Sequence, residues 1–119
     1  MFAKVTYLKD AVTYIEAEGK LDIYSAPDYL EKVKEYLQLR YTRELVLDFS
    51  KITYVASIGL RAILELYNLM QNRRGILKLK NVNENILNSI RYTGFDKFLV
   101  IENDSVENEE EAPNENTDY

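Results

Sequence analysis

At 119 residues, 46% hydrophobic and 29% charged, the chain has the size and composition of one globular domain with one core. It contains no cysteine and no histidine, which excludes disulfides and thiolate chemistry and removes the commonest general base and metal ligand. The net charge of −5 is unevenly placed: residues 102–119 carry eight acidic and no basic residues, leaving 15 basic and 12 acidic residues in the body.

The body is thus mildly basic but has no basic stripe, so no nucleic-acid partner is expected. The domain is placed at 1–101 and an acidic tail at 102–119. The tail is poor in apolar residues and contains Pro113, the composition of a disordered, solvating extension. Its functional alternative is a tether, or an electrostatic shield over the basic body. The run Glu109-Glu110-Glu111 lacks the spaced ligands and turn glycine of a calcium loop, so neither a metal nor a cofactor is expected. Charges interrupt the N-terminal residues before a signal-peptide core can form. The longest uncharged stretch, residues 52–60, is too short to span a bilayer. The expectation is a cytoplasmic protein without membrane insertion.

In chain order, residues 2–8 and 12–18 are rich in Val, Thr, Tyr and Ile and flank the short turn Lys9-Asp10-Ala11, which predicts an antiparallel hairpin. Ser25 is placed to cap a first helix, with Pro27 in its first turn and Asp28 three residues on. Ala26, Leu30, Val33 and Leu37 form its apolar face. Residues 45–49 predict a short buried strand and residues 50–56 a connection. A second helix follows over residues 57–73, with Leu60, Ile63, Leu64, Tyr67 and Met70 on one face. Gly75 is placed to end it, and Arg73 and Arg74 suit its negative C-terminal end.

Residues 76–80 alternate as a half-exposed strand does. Asn83 is placed to cap a third helix bearing Ile86, Leu87 and Ile90, with Val82 and Leu87 at the spacing of a hydrophobic staple. Gly94 breaks the chain, and residues 98–101 predict a last strand. The order is ββαβαβαβ. Strand–helix–strand steps require parallel, right-handed crossovers, so the fold class is α/β: a mixed sheet flanked by helices.

The stretch from Leu45 to Leu64 carries most of the functional signal. Ser57 stands at a helix N-terminus, where exposed N–H groups and the positive helix end favour an anion. A phosphate there would add about −1.5 to −2 charges. Arg61, four residues on, is spaced to pair with it. Phosphorylation would then change the surface and leave the fold intact. The plainer alternative is that Ser57 is only a helix cap.

Five segments in order, Gly19-Lys20-Leu21-Asp22, Ser25-Ala26-Pro27, Leu45-Val46-Leu47-Asp48, Val55-Ala56-Ser57-Ile58-Gly59-Leu60 and Tyr92-Thr93-Gly94-Phe95, make the chain resemble the STAS domain family over residues 5–101. The likeness is to its free-standing bacterial anti-sigma factor antagonists. The resemblance implies a non-enzymatic partner switch. The unphosphorylated antagonist binds an anti-sigma factor that is also a serine kinase. Phosphorylation of the serine that aligns with Ser57 separates the complex, and a serine phosphatase resets it. It also implies that Asp22 belongs to the kinase-facing surface. A monomer or weak dimer is expected.

The family pattern Asp-Ser-x-Gly is broken here by Ala56. That substitution removes both like-charge repulsion against a phosphate and a polar contact with a partner. Ile58 makes the same edge more apolar. The predicted partner-binding set is Asp22, Tyr24, Ala56, Ser57, Ile58, Gly59 and Arg61. A second reading, favoured by Ala56 and Ile58, is a scaffold or accessory subunit that is not phosphorylated, in a stress-signalling or lipid-transport complex. An enzyme is the weakest reading, since histidine, cysteine and a phosphate-cradling glycine loop are all absent.

Asp22 has an alternative role in organising the turn before the first helix. Asp48 is expected to fix the loop after its strand. Tyr24, Tyr54 and Tyr92 lie near element ends, either as ordinary edge packing or as an aromatic rim.

Overall fold

The structure, a computed structural model, describes residues 2–103. The chain begins with strands β1 (Phe2–Lys9) and β2 (Val12–Leu21), paired antiparallel with Lys9 opposite Val12. Only two residues remain for the turn, and Asp10 and Ala11 both have positive φ, 50° and 68°. That is the backbone of a type I′ hairpin. Alanine adopts this region reluctantly. Here its carbonyl is held by two donors, the N–H groups of Arg43 at 2.8 Å and Glu44 at 3.2 Å.

Helix α1 (Ala26–Leu39) follows. Ser25 occupies the N-cap position, but its side chain makes no cap hydrogen bond. It turns back instead, donating to the carbonyl of Lys20 at 2.5 Å and accepting from the N–H of Asp22 at 2.9 Å. The carboxylate of Asp22 closes the preceding turn by accepting from the N–H groups of Tyr24 and Ser25. The buried positions of α1 are Ala26, Tyr29, Val33 and Leu37. Tyr29 thus takes the place expected of Leu30, which lies half-buried beside it.

The largest departure from the sequence reading is β3, which runs Glu44–Val55 rather than ending at Phe49. The expected connection over residues 50–56 is mostly strand. Two bulges explain this. Glu16 pairs with Asp48 but Glu18 with Lys51, and Gly19 pairs with Ile52 but Lys20 with Tyr54. Each extra residue resets which side chains face inward. Phe49, Ile52 and Val55 are therefore all buried at a spacing of three, where a regular strand would alternate in twos. The Asp48 carboxylate accepts from the N–H of Ser50 at 2.9 Å, so it fixes the first bulge instead of a loop.

Helix α2 (Ser57–Asn72) returns along the sheet, burying Gly59, Leu60, Ala62, Ile63, Leu66 and Met70. Leu64 and Tyr67, expected inside, are half-buried, and Leu66 fills the central position. At its end Arg74, not Gly75, takes the left-handed conformation, with φ 60°. Gly75 is required for space: a Cβ there would lie 2.7 Å from the Arg43 carbonyl oxygen.

Strand β4 (Ile76–Lys80) leads to α3 (Glu84–Thr93), capped as expected by Asn83, whose side chain accepts from the N–H of Ile86 at 2.9 Å. Gly94, with φ 84°, ends α3. A single 3-10 turn (Phe95–Lys97) then occupies part of the segment before β5. Strand β5 is Val100–Glu102, shorter and later than the expected 98–101. The Asn103 side chain still belongs to this edge, accepting from the N–H of Val82 at 2.9 Å.

The five strands lie in the order β1-β2-β3-β4-β5, with all pairs after the hairpin parallel. This is the expected α/β architecture. Because β4 pairs with β3 only as far as Asp48, the last seven residues of β3 project past it. Helix α3 packs against that projection, and the Asn83 amide donates to the carbonyl of Ile52 at 3.3 Å. The projection carries the start of α2 to one end of the molecule.

Candidate functional site

At that end three backbone segments meet. The N–H of Ala56 donates to the carbonyl of Leu21 at 2.9 Å, tying the end of β3 to the end of β2. Gly59 sits against the same carbonyl. A Cβ on it would meet the Leu21 oxygen at 2.7 Å and Val55 Cγ1 at 2.9 Å. Glycine is thus set here by close approach of two backbones, and the approach brings the Asp22 turn beside the first turn of α2.

The N-cap of α2 is Ala56, in extended conformation, and Ser57 is the first helical residue. Ser57 is therefore not the cap, which removes the plainer reading of this serine. No side chain caps the helix and no acidic residue lies in its first turn. Its leading N–H groups thus present positive potential to an exposed hydroxyl. The Ser57 side chain is exposed.

The predicted site residues divide into neighbouring groups. Ala56 and Ser57 line an open groove of about 420 Å³ with Tyr54, Leu60, Ser89 and Tyr92. Ile58 and Arg61 line a smaller groove of about 190 Å³ between α1 and α2, with Pro27, Leu30 and Glu65. Gly59 is buried between the two backbones and shapes the surface without forming it. Asp22 and Tyr24 lie on the turn and line neither groove. Arg61 is exposed one helical turn beyond Ser57, on the side of the smaller groove.

The tyrosines are not packed as ordinary edges. Tyr24 is 88% exposed, Tyr92 93% and Tyr54 52%. Beside Tyr24, Ile23 is 64% exposed. Ile23 was missed by sequence reasoning, although an isoleucine inside a turn closed by Asp22 is a readable signal. The α3 contribution to the larger groove, Asn88 and Ser89, was also missed. It depends on how β3 projects, and the bulges that cause this leave no periodic trace.

Among the predicted site residues, Asp22 is the one whose titration the local geometry perturbs. The N–H of Ser25 chiefly, then that of Tyr24, stabilise its charged form and hold its carboxyl below the ordinary value. Among the described residues there is no cluster of three carboxylates that could hold a metal, and no helix is long and apolar enough to cross a membrane.

The STAS domain model matches residues 3–111. The chain belongs to the STAS domain family. It is similar to the anti-sigma-B factor antagonist of Bacillus subtilis, with 25% identity over 87 residues, which is 73% of this chain and 78% of that one. Its fold resembles that of an anti-sigma factor antagonist from Mycobacterium paratuberculosis, with TM-score 0.72, 20% identity and coverage of 85% and 86% of the two chains. It also resembles the Bacillus cell fate determinant SpoIIAA in its phosphorylated form, with TM-score 0.66, 13% identity and coverage of 84% and 90%.

Proposed function

We propose that this chain is an anti-sigma factor antagonist that acts by partner switching, with Ser57 as its phosphorylation site. In the unphosphorylated state it binds an anti-sigma factor that is also a serine kinase. The contact surface is the end of the molecule formed by the Asp22–Tyr24 turn, the first turn of α2 and the groove shared with α3. Phosphorylation adds negative charge in the middle of that surface and separates the partners, and a serine phosphatase restores the binding form.

The observation that carries this reading is the placement of Ser57. Its hydroxyl is exposed at the first position of a helix whose cap is a different residue. It can therefore be modified without removing a structural hydrogen bond, and the helix end tolerates the added charge. Exposed Ile23, Tyr24, Tyr54 and Tyr92 supply apolar contact area around it, of the aromatic-rich kind found at protein interfaces. The relative from Bacillus subtilis named an anti-sigma-B factor antagonist supports the role, and the SpoIIAA structure supports a phosphorylated state as compatible with this fold.

The test is mass spectrometry of the protein from its native host, with and without phosphatase, followed by binding of the co-purifying kinase to wild type, Ser57→Ala and Ser57→Asp. A phosphatase-sensitive mass at Ser57 and loss of binding only in Ser57→Asp are expected. An unmodified Ser57 while the kinase is active, with equal binding by all three forms, would favour a constitutive STAS scaffold. Half-buried Ala56 and Ile58 give that second reading its support.

A further inference from the structure

The end of the molecule opposite Ser57 is built by three segments that hydrogen bonds tie together. The N–H of Arg43 donates to the carbonyl of Ala11 at 2.8 Å, and the carbonyl of Arg43 accepts from the N–H of Ile76 at 2.8 Å. The guanidinium of Arg73 donates to the carbonyl of Leu37 at 3.4 Å, joining the last turn of α1 to the end of α2. Residues 9–13, 37–43 and 73–76 thus share one end, where β3 and β4 begin and α1 and α2 finish. They hold five cations, Lys9, Arg40, Arg43, Arg73 and Arg74, against one carboxylate, Asp10. Arg40 is half-buried and the other four cations are exposed. Among the described residues none of the five is in an ion pair, and the next carboxylate along, Glu44, is taken by Lys78 at 3.0 Å.

The same end shows apolar surface without a recess. Leu39 is 81% exposed and Tyr41 74%, so each stands proud of its surroundings. The loop that carries them is not slack. The Arg40 Nε donates to the Thr13 hydroxyl at 3.0 Å, and the hydroxyls of Thr13 and Thr42 share a hydrogen bond of 2.7 Å. Thr13 and Thr42 are both buried, so Tyr41 is held between two anchored neighbours. Protruding apolar side chains beside unpaired cations match a fluid, negatively charged interface. The apolar tips enter below the headgroups while the cations stay at the phosphates. A folded acidic partner would instead need complementary relief, which a convex end does not supply. We propose that this end docks on an anionic lipid bilayer. Strand β3 leads away from it for about 35 Å between Glu44 and Val55 at strand spacing, so the docked protein presents Ser57 on its far side.

Flotation of the full chain with lipid vesicles tests this and involves neither Ser57 nor a partner protein. The full chain is used so that the acidic residues after Asn103 count in the outcome. Binding is expected to vesicles of equal parts phosphatidylcholine and phosphatidylglycerol, and not to phosphatidylcholine alone. It should be lost at 1 M salt, where the screening length falls to about 3 Å. Leu39→Ser with Tyr41→Ser, and separately Arg43→Gln with Arg74→Asn, should each weaken partitioning about tenfold or more. Asparagine tolerates the left-handed backbone of residue 74. Lys51→Gln with Arg91→Gln removes the same charge from the projecting part of β3 and from α3, and should bind like wild type. Absence of binding to the anionic vesicles would overturn the proposal. An equal loss in the Lys51→Gln, Arg91→Gln chain would overturn it by reducing the effect to net charge. Undiminished binding by the Leu39→Ser, Tyr41→Ser chain would overturn it too, and would assign the cations to an acidic protein.

Discussion

The carbonyl oxygen of Leu21 accepts the N–H of Ala56 at 2.9 Å and lies 2.7 Å from where a Cβ on Gly59 would stand. One backbone atom therefore sets both the exit of β3 and the entry of α2. Around it the Asp22 turn and Ser57 become neighbours although 35 residues separate them in sequence. Any side chain at Gly59 has to push these backbones apart, because the obstructing atom is not a flexible side-chain tip. Gly59→Ala is expected to destabilise the fold by about 1–3 kcal/mol, the usual cost of overpacking. At this size that lowers Tm by several degrees, roughly 4 °C or more per kcal/mol. Thermal unfolding followed by circular dichroism checks this, and a Tm within a degree of wild type would show that the two segments separate easily.

Ser57 and Asn83 stand at the starts of two helices and do different work. Asn83 caps α3 by accepting the N–H of Ile86, whereas Ser57 follows the cap of α2 and makes no cap bond. Asn83→Ala should cost about 1 kcal/mol, in the range of a lost cap. Ser57→Ala should stay within about 0.5 kcal/mol, as other exposed substitutions do. Urea unfolding of the two variants separates the cases. A penalty at Ser57 equal to that at Asn83 would mean that its hydroxyl supports the helix, and the switch would lose its main structural argument.

The sign of the Asp22 effect follows from its lowered folded pKa. The contribution is present above the ordinary carboxylate value and is lost as pH falls through the lower folded value. Asp22→Asn is therefore expected to be less stable than wild type near neutrality. The difference should shrink on acidification and disappear once the wild-type carboxyl is protonated. Parallel denaturant titrations between neutral and strongly acidic pH measure it. A gap that does not change with pH would assign the loss to geometry of the turn and not to charge.

How far the sequence could be read depends on periodicity. The hairpin, the α3 cap and the parallel strand–helix–strand order all leave local marks: a short turn between two β-rich runs, an asparagine before an apolar run, and apolar stripes at helical spacing. Strand β3 does not, because Phe49, Ile52 and Val55 face inward only through two bulges opposite β2. The pattern imitates a loop, so the projection that delivers Ser57 to the end of the molecule was invisible. Ser25 misled for a related reason. A serine before a helix suggests a cap, but a competing acceptor, the Lys20 carbonyl, is supplied by β2 and known only once the chain is folded. Ser57 itself was legible as a helix-start residue. That Ala56 serves as the cap was not, since alanine is a poor cap by preference.

Lys78 links the short edge strand to the sheet. Its ammonium lies 3.0 Å from Glu44 and 3.6 Å from Glu102, so one cation joins β3, β4 and β5. The bond to Glu44 chiefly raises its pKa, against the opposing effect of burial. A raised lysine pKa contributes stability that is fully present below the ordinary lysine value and is lost as pH rises through the folded value. The side chains are partly solvated, so solvent screening limits the pair to about 0.2–1 kcal/mol. Lys78→Met is expected to cost no more than this globally, because the methionine keeps the stem packed. Locally, the amides of Val100 and Ile101 should exchange hydrogen faster, since β5 has only three residues and depends on few other ties. Native-state hydrogen exchange at neutral pH reads this directly. Unchanged protection at Ile101 in Lys78→Met would mean that the bonds between β5 and the segment Asn81–Val82 hold the edge without the cation.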